Sequence, residues 1–186
     1  MTEKKDDADT IQETEEDDIE EMMSSILDRL QVGIIGASSD KSIETAIEGC
    51  FEHKKWRYEY NSKNNFFTTG FNEKETPIKA ALVARNGELQ IYCRPVITIP
   101  LERFQDALWE INRVNTDLRL GRFILNPDNG IIVFKSEHVF TEKAPSPVFI
   151  DWYISVILET IGNNIEGFKK ITEDSSNTNR HNPMFN

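Results

Sequence analysis

The sequence has little of what metalloenzymes and nucleotide-binding enzymes need. It contains two cysteines, Cys50 and Cys93, which lie far apart. None of its three histidines, His53, His138 and His181, has a second ligand residue at a metal-binding spacing. No glycine-rich phosphate loop and no Gly-x-Ser-x-Gly turn occurs. We therefore expect no catalytic residues, no metal site and no cofactor.

Long apolar runs are also missing, because no stretch approaches the length of a membrane-spanning helix. The beginning of the chain is acidic and polar, unlike a secretory signal. Cys50 falls in a helical pattern and Cys93 in a strand pattern, as expected for small apolar core residues with free thiols. These features predict a cytoplasmic protein that does not associate with membranes.

Charge is distributed very unevenly along the chain. The first 30 residues contain twelve acidic and three basic side chains, so −9 of the total charge of −11 lies there. The rest of the chain is nearly neutral. A neutral fold with an acidic segment repels phosphate groups, which argues against nucleic acid and anionic lipid surfaces as partners.

Composition divides the chain into one domain and two tails. Residues 1–21 are acid-rich with few apolar side chains and are predicted to be disordered, as is the polar segment 172–186. Residues 22–171 are predicted to form a single domain. At its start, residues 22–30 predict a short amphipathic helix, which either lies on the domain or detaches to bind a partner. Its apolar residues are Met22, Met23, Ile26, Leu27 and Leu30.

Three more segments have apolar residues spaced three and four apart and predict helices, at about 40–55, 101–115 and 148–171. Ser39 or Asp40 can cap the first of them. In the second helix we predict a buried stripe formed by Leu101, Phe104, Leu108, Ile111 and Val114.

Alternating patterns between these helices predict strands. Asn86-Gly87 is a strong hairpin signal, because both positions of a type I′ turn need positive φ. The predicted fold is α+β, an antiparallel sheet of about five strands with helices packed on one face, in the order α-β-β-β-α-β-β-α. The strand segments are 56–60, 66–71, 78–84, 89–93, 122–125 and 131–134.

The final predicted helix has more apolar surface than one sheet face can cover. Beside a stripe of six residues, four further large side chains extend around its first half. Either the 22–30 helix covers them or a second subunit does, and Trp109 in the preceding helix gives a similar hint. The stripe is Ile150, Ile154, Ile157, Ile161, Ile165 and Phe168. The candidate interface residues are Phe149, Trp152, Tyr153, Val156, Trp109 and Phe104.

Three arginines, Arg94, Arg119 and Arg122, are predicted to form a small basic patch at one sheet edge. One interpretation is ion pairing with Glu88 or Asp117, which contributes under about 1 kcal/mol at an exposed site. The other is that the patch accepts the acidic N-terminal segment or an acidic partner.

Residues 43–168 resemble the YbjN domain family, whose members are labelled bacterial sensory transduction regulators. The family is similar in fold to type III secretion chaperones, so the resemblance implies a non-catalytic, dimeric module that binds other proteins. Asn115 and Gly121 are the positions most like the family pattern, and we expect Asn115 to close a helix end and Gly121 to adopt a positive φ. The matching segments are 56–60, 94–100, 111–115, 120–123 and 130–134.

We favour a homodimeric regulator or chaperone-like adaptor that binds a protein partner. One alternative is a monomeric sensor that binds a small apolar ligand between sheet and helix. An enzyme would instead require Cys93 or Asp117 in a cleft beside His53 or His138. The aromatic residues that could line the sensor's pocket are Phe66, Phe67, Tyr92 and Trp152.

Overall fold

The structure is a computed structural model and describes residues 39–141 and 143–173. These residues form three α-helices, a short 3₁₀ turn at Leu101–Arg103 and six strands. The helices are α1 (Asp40–Lys54), α2 (Phe104–Asp117) and α3 (Pro147–Glu173). The strands are β1 (Glu59–Asn61), β2 (Phe66–Glu73), β3 (Thr76–Arg85), β4 (Glu88–Pro95), β5 (Arg122–Leu125) and β6 (Ile132–Val139).

The strands form one antiparallel sheet in the order β1-β2-β3-β4-β6-β5. Alternate strand residues pack with the helices in a single core cluster, so the predicted α+β fold with helices on one face is confirmed. The sheet has six strands rather than about five, because β1 pairs with β2. β1 begins three residues later than predicted. The proposed 22–30 helix and the 1–21 tail lie outside the described residues.

The β3–β4 hairpin is closed by the predicted Asn86-Gly87 turn. Both residues have positive φ, 55° and 74°, as a two-residue type I′ turn requires. The Gly87 amide donates a hydrogen bond to Asp40 Oδ1 over 2.7 Å. This bond ties the first turn of α1 to the hairpin. Ser39 caps α1 as predicted, since its side chain accepts from the Ser42 amide.

α3 forms the centre of the helical layer. All six residues of its predicted stripe are buried, with at most 2% of their surface exposed. A Cβ on Gly49 of α1 would lie 3.2 Å from Pro147, and one on Gly167 would lie 2.7 Å from the Glu110 carboxylate of α2. The helix therefore contacts α1 near its start and α2 near its end. Burying each large apolar side chain contributes about 1.5–3 kcal/mol.

The predicted stripe of α2 is wrong at two positions. Leu101 is 76% exposed and Leu108 is 50% exposed, whereas Ala107, Ile111 and Val114 are buried. Leu101 lies in the 3₁₀ turn, which has a different angular spacing from the α-helix and removes it from the stripe. Ala107 precedes Leu108 by one position, and its small side chain faces the core where α2 packs. Ile111 and Val114 keep their predicted place in the core, so the helix is rotated by less than one residue relative to the prediction.

The β2–β3 hairpin turn is a site where the backbone is strained. Lys74 and Glu75 have φ of 46° and 62°, a region that costs a residue other than glycine roughly 1–2 kcal/mol. We expect Glu75→Gly to raise the free energy of unfolding by about 0.5–1 kcal/mol, because glycine removes part of this cost. Urea unfolding followed by circular dichroism measures the change.

Gly87→Ala is the matched control, since it puts a side chain on the left-handed position of the other hairpin and should lower the urea midpoint. A midpoint for Glu75→Gly at or below that of the wild type, with the same m-value, would contradict the strain argument.

Candidate protein-binding surface

An exposed apolar patch lies on the first three turns of α3, on the side away from the isoleucine stripe. We call it the α3 patch; it consists of Val148, Phe149, Trp152 and Val156. Val148 is 75% exposed and Trp152 is 53% exposed, while Phe149 and Val156 are half-buried. Three of the six predicted interface residues therefore lie in the α3 patch and reach solvent.

A cluster of aromatic rings supports the α3 patch from below. Phe149 stacks on Tyr153 with 5.6 Å between ring centroids, and it also contacts the rings of Phe140 and His138. The ring of Trp152 packs on Phe149 at 5.6 Å. Because each ring is held by several neighbours, the exposed indole has little freedom to lose when a partner binds.

Tyr153, another predicted interface residue, is in the core, with 1% of its surface exposed. Its hydroxyl and that of Ser136 on β6 share a hydrogen bond of 2.7 Å. Burial raises the pKa of the Tyr153 phenol, so the hydroxyl stays protonated and the bond stays in place. Tyr153 therefore fixes α3 to the sheet beneath the patch and does not itself reach a partner.

A second apolar patch lies on α2 and the 3₁₀ turn before it. We call it the α2 patch; it consists of Leu101, Phe104, Leu108 and Trp109. Trp109 is 61% exposed, whereas Phe104 is half-buried. Leu101 and Leu108 were not predicted to lie on the surface. The signal that could have found them is the competing stripe of Phe104, Ala107, Ile111 and Val114, which has the same spacing.

The two patches are separate. Glu110 of α2 lies against Gly167, which is 15 residues after Trp152 along α3. At 1.5 Å per residue this corresponds to roughly 22 Å along the helix axis. One small contact therefore cannot cover both tryptophans.

The four aromatic residues predicted to line a ligand pocket do not come together. Phe67 faces the helices, but Phe66 and Tyr92 pair with Val83 and Ala81 and point to the opposite face of the sheet. Trp152 is on the exposed side of α3. The prediction failed because neighbouring strand residues point to opposite faces.

The opposite face of the sheet carries a short chain of polar contacts along β4. The Tyr92 hydroxyl donates to Gln90 Oε1, and Gln90 Nε2 donates to Glu88, each over 2.9 Å. Burial, followed by the charges of Glu137 and Glu88, raises the pKa of Tyr92. The phenol is therefore a fixed hydrogen-bond donor and not a proton-transfer group at neutral pH.

The residues considered for catalysis are also dispersed. Cys93 is in the core on β4, and burial raises the pKa of its thiol to about 12. His138 packs among aromatic rings, while His53 and Asp117 are exposed. Across the described part of the chain, no three side chains of the metal-binding types come together. A protonated thiol is a poor nucleophile, so Cys93 offers no reactive centre.

Arg122 of the predicted basic patch has an acidic neighbour that was not predicted. It lies 3.8 Å from Glu137 of β6. Arg94 and Arg122 are on the same face, on β4 and β5, with β6 between them. Arg119 is exposed in the loop before β5. The contact with Glu137 is long and partly exposed, so it contributes little stability.

Among the described helices, none combines the length and the apolar content that a bilayer crossing needs. α3 is the longest, and its solvent side becomes polar after Val156.

A known protein family matches most of this fold. A family model named YbjN, with the description "Putative bacterial sensory transduction regulator", matches residues 45–170. The chain belongs to the YbjN family. The match runs from α1 almost to the end of α3, so it includes both apolar patches. No curated protein matches the chain.

Two solved structures with TM-scores above 0.5 share this fold, and a third is similar at a lower score. YbjN of E. coli is 8% identical with a TM-score of 0.53, and the match covers 68% of this chain and 90% of that one. An uncharacterised protein from Methanothermobacter thermautotrophicus is 13% identical with a TM-score of 0.52, covering 70% and 99%. The type III secretion chaperone SycH of Yersinia pestis, solved with a fragment of YscM2, is 15% identical with a TM-score of 0.43, covering 67% and 98%.

The two positions most like the YbjN pattern both act at β5. Gly121 has a φ of 68°, as predicted, and a Cβ there would lie 2.6 Å from the Lys135 carbonyl oxygen. Asn115 does not close the helix end, because α2 continues to Asp117. Its amide instead bonds to both backbone polar groups of Phe123.

We expect both thiols of the native YbjN domain to be unreactive toward Ellman's reagent at pH 8. Burial raises the pKa of Cys50 to about 11 and that of Cys93 to about 12, so almost no thiolate exists in the folded state. The thiols of the unfolded chain ionise near pH 9, before the buried thiols do. The stability that comes from keeping the thiols protonated in the core is therefore complete below pH 9 and falls as the pH rises above it.

Absorbance at 412 nm, with and without urea, measures the labelling. Cys50→Ala isolates Cys93 as a control. Rapid labelling of either thiol in the native protein would contradict the assignment of both residues to the core.

Proposed function

We propose that this chain is a non-catalytic protein-binding module that works as a homodimeric regulator or chaperone-like adaptor in the cytoplasm. The observation that carries the proposal is the α3 patch, in which Trp152 is 53% exposed above a rigid aromatic cluster. Membership of a family described as regulators supports a role in binding rather than in catalysis.

A partner is expected at this patch because burying the exposed indole of Trp152 lowers the free energy. Tryptophan contributes a large rigid surface, and tryptophans are enriched among the residues that dominate binding energy at protein interfaces. Val148 extends the same apolar surface by one helical turn. A second subunit that covers this surface removes it from water without reordering the side chains beneath it.

The α3 patch is the better candidate for the dimer seam. Phe149 and Trp152 both pack on the ring of Tyr153, which the Ser136 hydroxyl holds in place. Around α2, by contrast, Leu101 of the preceding 3₁₀ turn and Trp109 of the helix are exposed. We therefore assign the α3 patch to self-association and the α2 patch to the unidentified protein partner.

We expect Trp152→Ser to weaken self-association at least ~30-fold, because losing an interface tryptophan costs about 2 kcal/mol or more. Sedimentation equilibrium between 1 and 100 μM on the full chain measures the dimer dissociation constant. Since the indole is more than half exposed, the change should leave the far-UV circular dichroism spectrum as it is.

Trp109→Ser is the matched control, with the same substitution at an exposed indole of the α2 patch. It should leave the dimer dissociation constant within about twofold of the wild type. A wild-type chain that stays monomeric throughout the range would refute the homodimer. A larger effect of Trp109→Ser than of Trp152→Ser would move the seam to α2.

A further inference from the structure

β5 is an edge strand of the sheet that the described residues form. The Asn126 amide, directly after β5, donates to the Ile131 carbonyl over 2.8 Å, so even-numbered backbone groups point toward β6. Polar backbone groups alternate in direction along an antiparallel strand. The N–H and C=O of Phe123, near the middle of β5, therefore point away from the sheet.

The side chain of Asn115 occupies this outward position. Its Oδ1 accepts from the Phe123 amide over 2.8 Å, and its Nδ2 donates to the Phe123 carbonyl over 3.0 Å. A carboxamide presents one acceptor and one donor side by side, as a neighbouring strand does. Asn115 thus imitates one residue of a seventh strand at the middle of the four-residue edge.

We infer that Asn115 is an edge guard: it prevents a second copy of this chain from adding to the sheet through β5. Without it, two β5 strands related by a two-fold axis at Phe123 could pair and continue the sheet from one copy into the other. The inference does not depend on the α3 seam, because it concerns a contact that the wild-type chain does not make.

Apolar packing holds β5 in place independently of the guard. The ring of Phe123 is 2% exposed and contacts Phe134 and Phe168 at 4.9 and 5.0 Å between centroids. Removing the Asn115 amide should therefore uncover the edge while the strand stays attached to β6. If Asn115 served only to hold β5 in place, its removal would lower the stability of the protein without causing a new association.

The test compares the full chain with Asn115→Ala. In the monomer, at a protein concentration below that of the association, we expect at least tenfold faster hydrogen exchange at the Phe123 amide, measured by NMR, because its acceptor is lost. We also expect a new species in sedimentation velocity that grows with protein concentration. Asn112→Ala is the matched control, since Asn112 is exposed one helical turn earlier, and it should show neither effect.

A second substitution tests the geometry. In the two-fold pairing, residue 124 of one copy faces Arg122 of the other, so adding Ile124→Lys to Asn115→Ala places two positive charges opposite each other. Ile124 is 38% exposed, and the lysine can reach water. The double variant should lose the new species and keep the fast exchange at Phe123.

Two results would overturn the inference: Asn115→Ala exchanges faster but forms no new species up to 100 μM, or the new species persists in the double variant. Should Asn115→Ala be too unstable to purify, Asn115→Ser replaces it. The shorter hydroxyl side chain cannot bond to both the N–H and the C=O of Phe123, and absence of the new species there would equally refute the guard.

Discussion

The packing of α3 on the sheet is the contact on which the rest of this structure depends. Its isoleucine stripe covers the core strands along nearly the whole helix, while its flanks receive α1 and α2. Such burial is the main favourable term in folding. Because one side of a helix is committed in this way, large side chains on the other side, such as Trp152, have no place within the described helical layer.

Two features direct where this YbjN domain can meet other proteins. The aromatic cluster under Trp152 makes the start of α3 a rigid apolar surface. At the sheet edge, the Asn115 amide takes up the hydrogen-bonding groups of Phe123. In the association that we propose, helices meet the partner and their side chains select it, whereas strand addition, which any extended chain can imitate, is prevented.

Much of the fold could be predicted because its signals are local. The Asn86-Gly87 turn and the α3 stripe each follow from residues close in sequence, and both are confirmed. β1 was placed three residues early, since a three-residue strand has too few alternations to define a register. The end of the final helix was predicted at about residue 171, and α3 continues to Glu173.

The sequence by itself determined which segments are helices and strands, where the acidic charge lies, and that α3 is apolar around much of its circumference. Only the tertiary structure decided that Ala107 rather than Leu108 faces the core, that Tyr153 is buried, and that Asn115 bonds to Phe123. Periodicity reports the neighbours of a residue along its own element. The rotation of α2 and the partner of an amide depend on surfaces brought together from distant parts of the chain.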